Sequence, residues 1–277
     1  MVILYIGIKL KETFNKKKGI FMNFFFGINN SILNSKITIP RFQNNKPTKK
    51  DYKVYQLKIN NKKWEISNLD DVVLSDNFYQ IDSSASDNGN IFCLATKDEA
   101  LQFKESNSPK LINFSNYTDT LPDFRANLQV SIIGGGFSSY QSEYPFRMVT
   151  NKGSMLTALS SLCNKSADKN ILFLKNIYEL PIHDEFNVFF VNLKTKSVLK
   201  REVAATNLTN EIIIEKDFIT PEVFLFTDKY IGVPIFCSIK NKHISLEHTH
   251  PPHEYIMSAD KFKVVSELKK EFNAIIN

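Results

Sequence analysis

The sequence is short of the residues on which disulfide scaffolds and cysteine nucleophiles depend. Among 277 residues there are three cysteines, Cys93, Cys163 and Cys237, and none forms a C-x-x-C pair. An odd number leaves at least one thiol free, so a disulfide framework is not expected. Cys93 and Cys237 each lie in apolar, strand-like runs, which predicts small buried hydrophobic residues rather than nucleophiles.

Long apolar runs are also missing. No stretch approaches the roughly 18 apolar residues that a membrane span requires. The opening "MVILYIGIKL" is apolar before it becomes basic, the reverse of a secretory signal peptide, and no small-residue cleavage site follows. The sequence therefore predicts no transmembrane span and favours a cytoplasmic over a secreted protein.

Glycine and proline are scarce, with 9 and 10 residues, whereas 43% of the chain is hydrophobic. This composition excludes collagen-like and broadly disordered chains and predicts a globular protein with a substantial core. The length fits one large or two small domains.

Positive charge is concentrated at the amino-terminal end. Residues 1–65 carry 14 Lys and Arg against 3 Asp and Glu, although the net charge of the whole chain is only +6. Such an arm suits phosphate, an anionic membrane surface or an acidic partner, or it is a solvated lysine-rich face. Nucleic acid is not expected as a partner, because the aromatic residues that interleave with the lysines, Tyr52, Tyr55 and Trp64, are expected to pack inward.

The chain divides into three regions by composition. Residues 1–50 are predicted to be a basic tail or linker, either disordered or loosely packed. Residues 51–119 are predicted to form a small α+β region with a hairpin and a short helix, which starts at a capping box of Thr96 and Glu99. Residues 120–277 are predicted to form an antiparallel β-sandwich with a carboxyl-terminal helix.

The β prediction comes from eight short runs rich in Val, Ile and Phe. They are "RANLQVSII", "NILFLKNIY", "FNVFFVNL", "SVLKREVA", "NEIIIE", "EVFLFT", "GVPIFCSI" and "HISLEHT". Such runs at close intervals, without long helices between them, are typical of sandwiches and barrels. The fold class is therefore predicted to be mainly β, an immunoglobulin-like or jelly-roll-like antiparallel sandwich. No internal repeat is apparent in the sequence.

One helix is predicted at the carboxyl end. After Ser258, Phe262, Val265, Leu268, Phe272 and Ile275 recur on one helical stripe. We expect this stripe to pack on the sheet, with a partner-binding or membrane role as the alternative.

Four of the five histidines lie in "HISLEHTHPPHEY", residues 243–255. In an extended strand, His248 and His250 share one face, so their imidazoles could converge on one ion. Pro251 and Pro252 force a turn that could return His253 or Glu254 to the same place. The predicted metal ligands are thus His248, His250, Glu254 and His253, for zinc, iron or manganese. The alternatives are hydrogen-bonding side chains at a strand end, or a pH-sensitive or ligand-contacting role without metal.

A second candidate site is the glycine-rich stretch "GGGFSSYQSEYPFR", residues 134–147. Its backbone amides could hold an anion, although the spacing matches no known phosphate-binding motif. As a ligand surface it offers tyrosine contact area and hydrogen-bonding neighbours. The predicted ligand-binding residues are Tyr140, Gln141, Glu143, Tyr144 and Arg147.

The polar and aromatic loops are clearer than any catalytic set, and no G-x-S-x-G elbow is present. The sequence therefore favours a non-catalytic binding or assembly module whose ligand is a carbohydrate or a protein. The alternative is a metal-dependent enzyme, a hydrolase or oxygenase, that uses the His-x-His pair and Glu254.

Overall fold

The computed structural model describes residues 23–43, 46–47, 51–70, 72–75, 77–82, 91–106, 126–141, 154–178, 180–230, 232–248 and 261–277. Strands predominate, and two α-helices lie in these ranges. In this part of the chain we find no helix that combines the length and hydropathy of a membrane span.

The first half of the chain, residues 23–141, holds eleven strands and one helix in its described ranges. These elements are β1 (Asn23–Phe25), β2 (Leu33–Pro40), β3 (Phe42–Gln43), β4 (Lys46–Pro47), β5 (Lys53–Asn60), β6 (Lys63–Asn68), β7 (Val72–Leu74), β8 (Phe78–Asp82), β9 (Ile91–Ala95), α1 (Lys97–Ser106), β10 (Asn127–Ile132) and β11 (Phe137–Gln141).

In the described part of the second half, residues 154–277, there are eight strands and the other helix. These elements are β12 (Ser154–Ala158), β13 (Lys169–Lys175), β14 (Glu185–Asn192), β15 (Ser197–Ala205), β16 (Thr209–Ile214), β17 (Val223–Thr227), β18 (Val233–Lys240), β19 (His243–His248) and α2 (Lys261–Ile276). All eight runs predicted as strands are strands.

The prediction of a single β-sandwich is wrong. The strands form four small antiparallel sheets, arranged like the blades of a four-bladed propeller, and a two-stranded ribbon of β3 and β4. In strand order, sheet 1 is β1-β9-β5-β6, sheet 2 is β11-β10-β2-β8-β7, sheet 3 is β12-β17-β14-β15 and sheet 4 is β16-β13-β18-β19. Alternation predicts a strand but does not say which sheet it joins.

The two halves have the same topology. Sheets 1 and 3 correspond strand for strand, and sheet 2 corresponds to sheet 4 once the extra strand β7 is set aside. In both halves the last hairpin, β10-β11 or β18-β19, ends one sheet. The chain therefore contains a structural repeat that the sequence did not reveal, with β1 to β11 in the first copy and β12 to β19 in the second.

Part of the predicted tail belongs to the sheets. Strand β1 pairs with β9, and β2 lies between β10 and β8 in sheet 2. Leu33, Ser35, Ile37 and Ile39 alternate as buried positions along β2. The polar residues between them, which face outward, weakened the apolar signal in the sequence.

The main hydrophobic core draws residues from all four sheets. Strands β9, β13 and β18 are buried on both faces, as expected for strands that lie between two apolar layers. Tyr55 and Trp64 are also buried, as predicted, and Tyr52 is half-buried against the same core.

Each half places a helix on its first sheet. Helix α1 packs against β6 and β9 with Phe103 fully buried, and it begins at the predicted capping box, where Thr96 and Glu99 exchange hydrogen bonds. Helix α2 covers sheet 3, where the Phe272 ring stacks on Phe226 at a centroid distance of 4.0 Å. The predicted packing of the carboxyl-terminal helix on a sheet is confirmed.

Candidate functional site

The structure brings together one residue from each of the two predicted sites. Tyr140 lies near the end of β11 and His248 is the last residue of β19, and their ring centroids are 4.2 Å apart with a tilt of 56°. The ligand-binding and metal-binding candidates therefore meet where the last strands of the two halves lie side by side. The structure describes β11 as far as Gln141, whereas Glu143, Tyr144, Arg147, His250, His253 and Glu254 lie outside the described residues.

The predicted alternation along β19 is confirmed. Ile244, Leu246 and His248 are half-buried or buried, whereas His243, Ser245 and Glu247 are exposed. His248 thus faces the other half of the molecule and contacts Tyr140, so both rings contribute to the junction. Among the described residues, no group of three or more His, Cys, Asp or Glu side chains could hold a metal ion.

The two hairpins also meet at their turns. The Gly136 N–H donates to the carbonyl oxygen of Lys242 at 2.7 Å. A Cβ on Gly135 would lie 2.9 Å from the same oxygen and 3.0 Å from the Ile132 side chain. Glycine is therefore required here for close packing of two turns.

The glycine-rich stretch was predicted to offer its backbone amides to an anion, and the packing of the two turns occupies most of these amides. The Gly135 N–H donates to Ile132 and the Gly136 N–H to Lys242, so two of the three glycine amides are used inside the protein. Gly134, at the outer end of the turn, has φ of +72° and open space around its Cα. The turn places its flanking side chains at the protein surface.

The two turns together present an exposed surface of mixed character. In the first turn Ile133 is 57% exposed and Phe137 is 65% exposed, the largest exposed fraction among the large hydrophobic side chains of the described residues. In the second turn Lys240, Asn241, Lys242 and His243 are all exposed. We refer to residues 133–137 and 240–243 as the paired turns.

Sequence reasoning selected Tyr140 and missed Phe137. The sequence contained the information needed to find Phe137, because residues 137 and 140 lie on opposite faces of an extended strand. Tyr140 faces the junction, and Phe137 and Ser139 face solvent. An apolar residue on each side of three glycines, in "IIGGGF", marks a turn that exposes apolar side chains.

A separate polar cluster ties together loops of the second half. The Asp184 carboxylate accepts hydrogen bonds from Lys229 and from the buried Tyr230 hydroxyl. The hydrogen bond from Lys229, followed by that from Tyr230, lowers the pKa of Asp184. Burial raises the pKa of Tyr230, and the bond to Asp184 acts in the same direction. His183 Nδ1 lies 3.0 Å from the Thr206 carbonyl oxygen, so these residues fasten the segment between β13 and β14.

Other titratable groups are buried away from the paired turns. Cys93 and Cys237 are buried, as predicted, and desolvation raises the pKa of Cys163 and of Cys237 to about 12. These thiols are poor nucleophiles near neutral pH. Lys175, at the end of β13, is fully buried, and desolvation lowers its pKa to about 7.

No protein-family model and no curated protein sequence matches this chain. The paired turns and the junction behind them are therefore the features of this chain that indicate a function.

Proposed function

We propose that the protein is a non-catalytic binding module that contacts its ligand through the paired turns. The observation that carries this proposal is the exposure of Ile133 and Phe137, at 57% and 65%, on a turn that is fixed to the other half of the molecule. An exposed aromatic and aliphatic pair on a rigid support is the usual character of a binding anchor.

The side chains exposed on the paired turns indicate the class of ligand. A carbohydrate or a protein was expected from the loop composition. Ile133 and Phe137 provide apolar area and no hydrogen-bonding group, and Tyr140, which could hydrogen-bond a sugar, is half-buried against His248. This favours an extended macromolecular surface over a small sugar.

A photo-crosslinking experiment tests the proposal. Benzoylphenylalanine is placed at position 137 and, as a matched control, at position 101, because Leu101 is 48% exposed on α1 at another place on the surface. Irradiation in an extract of the cells that make the protein should give an adduct at position 137 that is absent at position 101. The same adducts at both positions, or no adduct with any component of the extract, lipid included, would overturn the proposal.

Elemental analysis separates the binding module from the metal-dependent enzyme. Protein purified without a histidine tag should contain no stoichiometric zinc, iron or manganese. If it does contain one of them, and replacing His248 and His250 by alanine removes it, the non-catalytic assignment is wrong.

A further inference from the structure

The paired turns combine two chemistries side by side. The first turn projects Ile133 and Phe137, and the second projects Lys240 and Lys242. The hydrogen bond from Gly136 to the Lys242 carbonyl holds the two turns in contact. Exposed apolar residues and exposed lysines therefore belong to two turns that are in direct backbone contact.

The paired turns themselves contain no acidic residue. Asp168 accepts a hydrogen bond from the Asn241 N–H at 2.7 Å, which anchors the second turn. The second turn therefore carries two exposed lysines, Lys240 and Lys242, against the single Asp168 carboxylate that anchors it.

We propose that the paired turns bind the surface of an anionic membrane, with Ile133 and Phe137 entering the boundary between headgroups and acyl chains and the lysines meeting lipid phosphates. Peripheral membrane proteins use this combination, since apolar side chains supply partitioning and basic residues supply attraction to anionic lipid. Lysine suits the role because its stem lies along apolar surface while its ammonium group stays in water. This inference rests on the proposed function, since it names the partner of the same surface.

A membrane accounts for the lysines better than a protein pocket does. Desolvating an ammonium group in a protein interface is costly, and charged residues are depleted from interface cores. At a bilayer surface the lysines remain hydrated while the neighbouring phenyl and isoleucyl groups leave water. The same arrangement therefore satisfies both kinds of side chain.

Vesicle sedimentation with the full-length protein tests the inference. The vesicles contain phosphatidylcholine alone or phosphatidylcholine mixed with phosphatidylserine. The protein should sediment with the anionic vesicles and remain in solution with the neutral ones, and the bound fraction should fall as salt is added. Phe137→Ser should weaken the partition coefficient about tenfold or more. Lys242→Gln should weaken it about fivefold.

Leu101→Ser is the matched control, because it removes an exposed apolar side chain of similar exposure elsewhere. It should leave vesicle binding unchanged, and circular dichroism confirms that each variant is folded. Failure to bind anionic vesicles, or binding that is unaffected by Phe137→Ser, would overturn the membrane inference. If benzoylphenylalanine at position 137 then forms a protein adduct, the proposed binding function stands with a protein partner. If it forms no specific adduct, both proposals fail.

Discussion

Replacing the buried Lys175 with methionine should stabilise the protein at neutral pH. The Lys175 side chain is fully buried, and burial lowers its pKa from 10.5 to about 7. In the unfolded chain the ammonium group keeps its proton up to about pH 10.5. Between these two values the unfolded state binds more protons than the folded state, so the free energy of unfolding rises with pH.

The size of the effect follows from the interval between the two pKa values. At about 1.4 kcal/mol per pH unit, the interval from about 7 to 10.5 corresponds to roughly 5 kcal/mol at most. Methionine has similar length and no charge, so it fits the same space. Lys175→Met should therefore raise the free energy of unfolding at pH 7 by less than roughly 5 kcal/mol, because methionine does not replace the interaction that Lys175 makes in the fold. The gain should shrink as the pH rises towards 10.5.

Urea unfolding, followed by circular dichroism at several pH values from 7 to 10, measures this difference. Lys169→Met, at an exposed position of the same strand, is the control and should change the unfolding free energy by less than about 0.5 kcal/mol. Taking the difference between variant and wild type at each pH removes the contributions of other titrating groups. Parallel stability curves for wild type and Lys175→Met would refute the reasoning, because they would show that position 175 does not titrate with unfolding.

Three further predictions concern packing and loop anchoring. Phe272→Ala removes a ring stacked on Phe226 and should weaken the packing of helix α2 on sheet 3 by about 3–5 kcal/mol. Amide hydrogen exchange should then become faster in residues 261–276 while the main core stays protected. Global unfolding of the protein would contradict this prediction. Gly232→Ala should destabilise the protein by at least about 1–3 kcal/mol in urea unfolding, because the added Cβ would lie 2.4 Å from a backbone carbonyl oxygen; unchanged stability would refute it. Asp184→Ala deprives the buried Tyr230 hydroxyl of one acceptor and should cost about 1–3 kcal/mol near neutral pH. Because the pKa of Asp184 is lowered in the fold, the carboxylate stabilises the protein above the ordinary pKa of Asp, and this stabilisation is lost as the pH falls. An Asp184→Ala variant that loses the same unfolding free energy at acidic and at neutral pH would argue against the anchoring role.

Local features of the fold could be predicted from the sequence because they depend on neighbouring residues. The capping box at Thr96 and Glu99, the apolar stripe of α2 and the alternation along β19 each involve residues within a few positions of one another. The hairpin between β5 and β6 turns through Asn61 and Lys62, both with positive φ, as a two-residue turn requires.

The assignment of strands to sheets could not be predicted in the same way. Strand β1 pairs with β9, and β2 pairs with β10, across long stretches of chain. The period-two pattern that identifies a strand says nothing about its distant partner. For the same reason the sequence predicted two candidate sites without showing that Tyr140 and His248 belong to one junction.

The repeated topology explains why the candidate surface lies where it does. A strand at the edge of a sheet presents unpaired backbone groups and is commonly covered. Here β11 and β19, the last strands of the two halves, lie against each other at their sheet edges, so the turns that precede them project together. The equivalent hairpins of the two halves carry different side chains at their turns. One turn has three glycines between Ile133 and Phe137, and the other has Lys240 and Lys242. A mixed apolar and cationic surface thus arises from two equivalent elements, and neither sequence segment predicts it alone.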